Sequence, residues 1–154
     1  MRDRPSATPV RPSPRGELPR AELPRGALRH GLSTEVLEDR ACAETLDAAY
    51  AVHEALGCAH KSATYLNALA AELVARGLVA HRGATFSVVY RKKVVGSFAA
   101  DLLVEDRVLV QVVCDRSLTP EHKTDTLRGL QAGGVKVGLV FNFGAPELFF
   151  ARIL

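Results

Sequence analysis

Between Thr34 and Leu56 apolar side chains recur at three- and four-residue steps: Val36, Cys42 or Ala43, Leu46, Ala49 or Tyr50, His53 and Leu56. This spacing predicts one amphipathic helix, opened by Ser33 or Thr34 and stopped by Gly57. A second helix is predicted from Ser62, as N-cap, to Arg76, with Tyr65, Leu66, Leu69, Leu73 and Val74 buried and Gly77 as its stop. The period then changes to that of strands. Thr85–Tyr90 is rich in β-branched and aromatic residues, and Arg91-Lys92-Lys93 turns it into a second strand, Val94 to about Val104. A tight turn at Glu105-Asp106-Arg107 leads to Val108–Cys114, apolar at nearly every position and so expected to be central and covered on both faces. These three strands read as an antiparallel meander.

Thr119-Pro120-Glu121 supplies an N-cap hydroxyl, a proline in the first turn and an acid near the positive helix end. That helix should end at Gly133-Gly134 and feed an apolar strand, Val135–Phe143. The helix then acts as a crossover, which makes Val108–Cys114 and Val135–Phe143 parallel. Leu148–Leu154 is expected as an edge strand. The sum is an α/β (α+β) domain, a mixed central sheet of about five strands flanked by helices.

Composition divides the chain. Residues 1–30 hold six of the eight prolines and seven arginines against three acids, while residues 31–154 carry 13 basic and 14 acidic side chains. Residues 1–32 are therefore expected as a disordered Pro/Arg-rich tail and residues 33–154 as the domain. The tail reads as a solvated leader, or else as a basic arm touching nucleic acid or an acidic partner. A near-neutral domain does not imply a basic phosphate-binding groove. Apolar residues make up 47% of the chain, enough for a core, yet no run approaches the roughly 18 residues that span a membrane. Cys42, Cys58 and Cys114 are odd in number and lack metal-ligand spacing, so free thiols in a reducing cytoplasm are expected.

Four segments carry a resemblance: Val52-His53-Glu54-Ala55-Leu56-Gly57, Tyr65, Asp101 through Val110, and Gly134 through Phe143. Together they resemble the GxxExxY proteins, small bacterial and archaeal domains of the PD-(D/E)XK nuclease-like superfamily. The resemblance covers roughly residues 35–154 and implies a restriction-endonuclease-like core. It also places the family's site residues. The first acid falls on Asp101, and Glu-x-Lys falls on Gln111-Val112-Val113. The signature Gly-x-x-Glu-x-x-Tyr falls on Ala59 through Tyr65, with Ser62 at the glutamate position. A helical glutamine of the family aligns with Asp125.

Such nucleases need Mg²⁺ or Mn²⁺, a hard ion held by anionic oxygens, and a lysine beside the attacking water. Gln111 offers a neutral oxygen and Val113 offers nothing polar. Asp115 points the same way as Gln111 and Val113 but lies roughly 13 Å further along an extended strand. Asp101 is thus the vestigial catalytic residue, and a metal ligand only if an ion is bound. The resulting expectation is a catalytically inactive nuclease-fold protein, without a cofactor, that binds a protein or nucleic acid and no membrane. The alternative is a metal-dependent nuclease with relocated residues, drawn from Lys123, Asp125 and Lys136. A homodimer through the apolar strand Leu148–Leu154 is a third option. His53 reads as a packed or capping histidine.

Overall fold

The computed structural model describes residues 8–9 and 34–154; the rest of the tail, including Ser33, lies outside the described residues. The helices are α1 (Thr34–Leu56), α2 (Ser62–Ala75) and α3 (Pro120–Gly133). The strands are β1 (Thr8–Pro9), β2 (Ala80–Arg82), β3 (Thr85–Tyr90), β4 (Lys93–Ala99), β5 (Leu102–Val104), β6 (Val108–Val113), β7 (Val137–Asn142) and β8 (Phe149–Ile153). A mixed sheet runs in the order β1-β8-β7-β6-β5-β2, with β3 and β4 in a sheet of their own. Among the described residues no helix is long and apolar enough to cross a membrane.

β6 and β7 form the centre. They are parallel, with Gln111 opposite Val140 and Val113 opposite Asn142, and α3 makes the crossover between them. Both faces are covered, which is why neither strand alternates in polarity. On one face Val108, Val110, Val112, Leu139 and Phe141 pack under α1 and α2. On the other, Leu103 and Leu109 pack with Leu130 of α3 and with Phe86 and Phe98 of the β3–β4 hairpin. Each large side chain buried in this way contributes about 1.5–3 kcal/mol. The α/β architecture, the central β6 and the parallel pair match the sequence expectation.

Local signals place most helix ends. Gly57 (φ 76°) and Gly77 (φ 85°) adopt the left-handed conformation just beyond α1 and α2. Thr119 caps α3, its hydroxyl accepting the His122 N–H at 3.3 Å. α2 departs from expectation in two ways. Its N-cap is Lys61, with no side-chain cap bond, and not Ser62. Val74 is 62% exposed, and Ala70 joins Tyr65, Leu69 and Leu73 on the buried face. Positions 65, 69 and 73 step by four along one stripe, and Val74 lies a further 100° around the helix.

The expected meander is the main correction. The predicted strand Val94–Val104 is broken at Ala100-Asp101 into β4 and β5. An eleven-residue strand would extend about 36 Å, far beyond the six residues of β6. Instead β3 and β4 leave the sheet and lie on α3. Gly129 and Gly133 make that seat: a Cβ on Gly133 would sit 2.7 Å from the Phe86 ring, and one on Gly129 would collide with Phe98. The vacated place beside β5 is taken by β2, antiparallel and only three residues long. β8 is not outermost either, since Thr8 and Pro9 pair with Phe150 and Phe149 along its outer side.

Candidate functional site

The site expected from the sequence lies where β5 stops. The antiparallel register places Leu102 opposite Val110, so the next residues, Asp101 and Gln111, face each other just past the end of the strand. There the side chains continue the ladder. Asp101 Oδ2 accepts the Val112 N–H at 2.8 Å, and Gln111 Oε1 accepts the Asp101 N–H at 2.8 Å. Each satisfies a backbone donor that the vanished strand would otherwise orphan. Both residues are half-buried. Burial pushes the Asp101 carboxyl above its ordinary value, and the Val112 N–H partly opposes that shift.

This donor set does not suit a hard divalent cation. Mg²⁺ favours several anionic oxygens in near-octahedral order. Asp101 supplies one carboxylate, already bonded to backbone and pushed by burial toward its neutral form. Gln111 is uncharged and its oxygen is directed at a backbone N–H, while Val113 is a half-buried hydrocarbon on the next inward position of β6. Among the described residues no group of three or more His, Cys, Asp and Glu side chains could hold a metal ion.

Two residues beyond Val113 the chain builds a second polar cluster, which sequence reasoning missed. Asn142, fully buried, accepts the Asp115 N–H at 2.9 Å through Oδ1 and donates from Nδ2 to the Asp115 carbonyl at 2.9 Å. Its Oδ1 also accepts the Gly144 N–H at 3.0 Å. The Asp115 carboxylate meets His122 Nε2 at 2.9 Å. His122 Nδ1 accepts the Thr119 N–H at 3.0 Å, so the imidazole hydrogen is assigned to Nε2 and donated to Asp115. Asp115 is thus held toward α3. The signal was present as Thr119-x-x-His122, the spacing of a capping box with histidine in place of Glu or Gln.

The remaining candidates are scattered. Ser62 is exposed at the first residue of α2, on the layer covering the opposite face of the sheet from Leu103 and Leu109. Tyr65 is structural. Its ring is fully buried and stacked on Phe143 at 4.7 Å, and its hydroxyl donates to the Gly57 carbonyl at 2.5 Å and accepts the His60 N–H at 3.3 Å. It therefore fixes the α1–α2 connection. His53 is a packed histidine, with Nε2 2.9 Å from the Ala145 carbonyl. Asp125 pairs with Arg128 one turn along α3, and Lys136 is exposed ahead of β7. Lys123 is half-buried on α3. The cysteines are free thiols; Cys42 is buried, Cys58 exposed, and burial plus the charge of Asp115 push the Cys114 thiol up.

A family model described as the PD-(D/E)XK nuclease superfamily matches residues 39–153. No curated protein and no solved structure matches the chain. The matched span runs from within α1 to the last residue of β8 and takes in the parallel β6–α3–β7 unit and the strand end that carries Asp101. The chain belongs to the PD-(D/E)XK nuclease superfamily.

Proposed function

We propose that this protein is a catalytically inactive member of its superfamily that works as a binding module for a protein or nucleic acid. The observation that carries the reading is the use of Asp101 Oδ2 and Gln111 Oε1 as backbone acceptors. Groups that a nuclease would aim at a metal ion here splice the end of a strand. Val113 adds no ammonium to activate water, and the nearest additional acid along β6, Asp115, is engaged by His122.

The test is cleavage of single- and double-stranded DNA and RNA in Mn²⁺ by the full chain, by Asp101→Ala and by Gln111→Glu/Val113→Lys. The proposal expects no cleavage by the unmodified chain. Cleavage that disappears in Asp101→Ala would overturn it in favour of a metal-dependent nuclease with relocated residues. Activity gained by the double variant would identify an intact scaffold from which the chemistry was lost.

A further inference from the structure

Five of the nine exposed large apolar side chains among the described residues fall on one eight-residue arm, the outer half of the β3–β4 hairpin. Val88, Val89, Tyr90, Val94 and Val95 are 41%, 59%, 62%, 68% and 61% exposed. The base of the hairpin is seated on α3 through Phe86 and Phe98, but beyond Val88 nothing among the described residues covers the ribbon. Alternation puts Val88 and Tyr90 on the face shared with Phe86, and paired Val89 and Val94 on the other. The arm is thus apolar on both faces. Its tip is basic: Arg91 and Lys92 form the two-residue turn and Lys93 pairs with Tyr90. The hairpin, Thr85–Ala99, contains no acid.

The turn is built against local preference. Arg91 (φ 51°) and Lys92 (φ 66°) both occupy the left-handed region, where a hairpin turn of this length favours Asn-Gly. Arg91 is held there over the Tyr90 ring, 5.6 Å from its centroid, with Nε donating to the Tyr90 hydroxyl at 3.2 Å. Two bulky cations thus stand where the backbone would accept Asn-Gly more easily.

We infer that this arm is a docking element for a protein partner that presents an apolar cleft with carboxylates where the tip emerges. Paired apolar walls with Tyr and Arg suit the buried centre of a protein interface, and the tip's three cations require an anionic counterpart. Phosphate binding rewards cations spread along a surface, yet here they are confined to the tip of a domain whose residues 31–154 carry 13 basic and 14 acidic side chains. Insertion into lipid would put apolar residues foremost, whereas here the charged turn leads. Pairing with a second copy is opposed by like-charged tips and by the irregularity at Val88/Val89, a feature that blunts strand edges. The inference extends the binding-module reading but does not depend on inactivity, because the arm is separate from Asp101.

The test places a benzoylphenylalanine at Val88, Val89 or Val94 of the full chain in its own host cells, with Val74 as the exposed control. The expected result is the same protein crosslinked from both faces of the arm and not from Val74, at a peptide holding apolar residues beside Asp or Glu. The purified partner should then bind the full chain, and Arg91→Glu/Lys92→Glu/Lys93→Glu should weaken Kd at least about tenfold with the unfolding midpoint unchanged. Crosslinks to nucleic acid, lipid or a second copy, or no crosslink specific to the arm, would overturn it. The Mn²⁺ cleavage assay reads the catalytic question separately, so either proposal can fail alone.

Discussion

Asp101 and Gln111 face each other across the end of the β5–β6 ladder and serve each other's strand: Gln111 Oε1 accepts the Asp101 N–H, and Asp101 Oδ2 accepts the N–H of Val112, the residue after Gln111. Both side chains act as strand-end caps. The stability of the chain should therefore depend on residues that a catalytic site would leave dispensable.

Removing either partner should destabilise the fold. Asp101→Ala leaves the N–H of buried Val112 without its acceptor and should cost about 1–3 kcal/mol. Gln111→Ala should cost somewhat less, and the two should be less than additive because they share one strand end. Urea unfolding of both single variants and the double variant measures this; strict additivity would argue that the bonds act independently.

The raised Asp101 carboxyl fixes the sign of a pH effect. Between its ordinary value of 3.8 and its folded value, the folded chain retains a proton that the unfolded chain has released. The stability this group adds is complete below the ordinary value and is lost as pH rises through the folded one. The difference in urea midpoint between the unmodified chain and Asp101→Asn should fall with rising pH across that window. A difference that grows with pH would mean that the carboxylate form is the favoured one.

Gly133→Ala should reverse the usual sign of a glycine-to-alanine change in a helix, normally a gain of up to about 1 kcal/mol. Its Cβ would enter the Phe86 ring, and the overpacking should cost about 1–3 kcal/mol. Adding Phe86→Leu should recover part of the loss if the contact is its cause. Thermal unfolding of the three variants decides the point.

Tyr65→Phe retains the stack on Phe143 but removes the hydroxyl that joins Gly57 and His60. A loss of about 0.5–1.5 kcal/mol is expected. Tyr65→Ala also opens a core cavity and should cost about 3–5 kcal/mol. A near-neutral phenylalanine variant would show that the hydroxyl bonds are replaced by water.

Much of the fold was legible because it is encoded locally. The stripe along α1, the cap Thr119-Pro120, the left-handed stops at Gly57 and Gly77, and the unbroken apolar runs of β6 and β7 depend on neighbours a few residues away. The parallel β6–β7 pair followed from a chain rule: a strand, a helix and a buried strand return in one direction. The chemical types at Asp101, Gln111 and Val113 were equally plain in the sequence.

Only tertiary structure decided where Val94–Val104 breaks, because the break is set by Phe86 and Phe98 reaching the flat face of α3 at Gly129 and Gly133. No period within the strand records that seat. The same holds for β2, whose three residues gain strand structure solely by pairing with β5, and for Asp115, which meets His122 seven residues away across a loop. Asp101 is the sharpest case. The sequence fixes that an acid is present, but its partners are the backbone and side chain of a strand ten residues further on. Side-chain hydrogen bonds between strands depend on register and on where each ladder ends, and those are properties of the packed sheet.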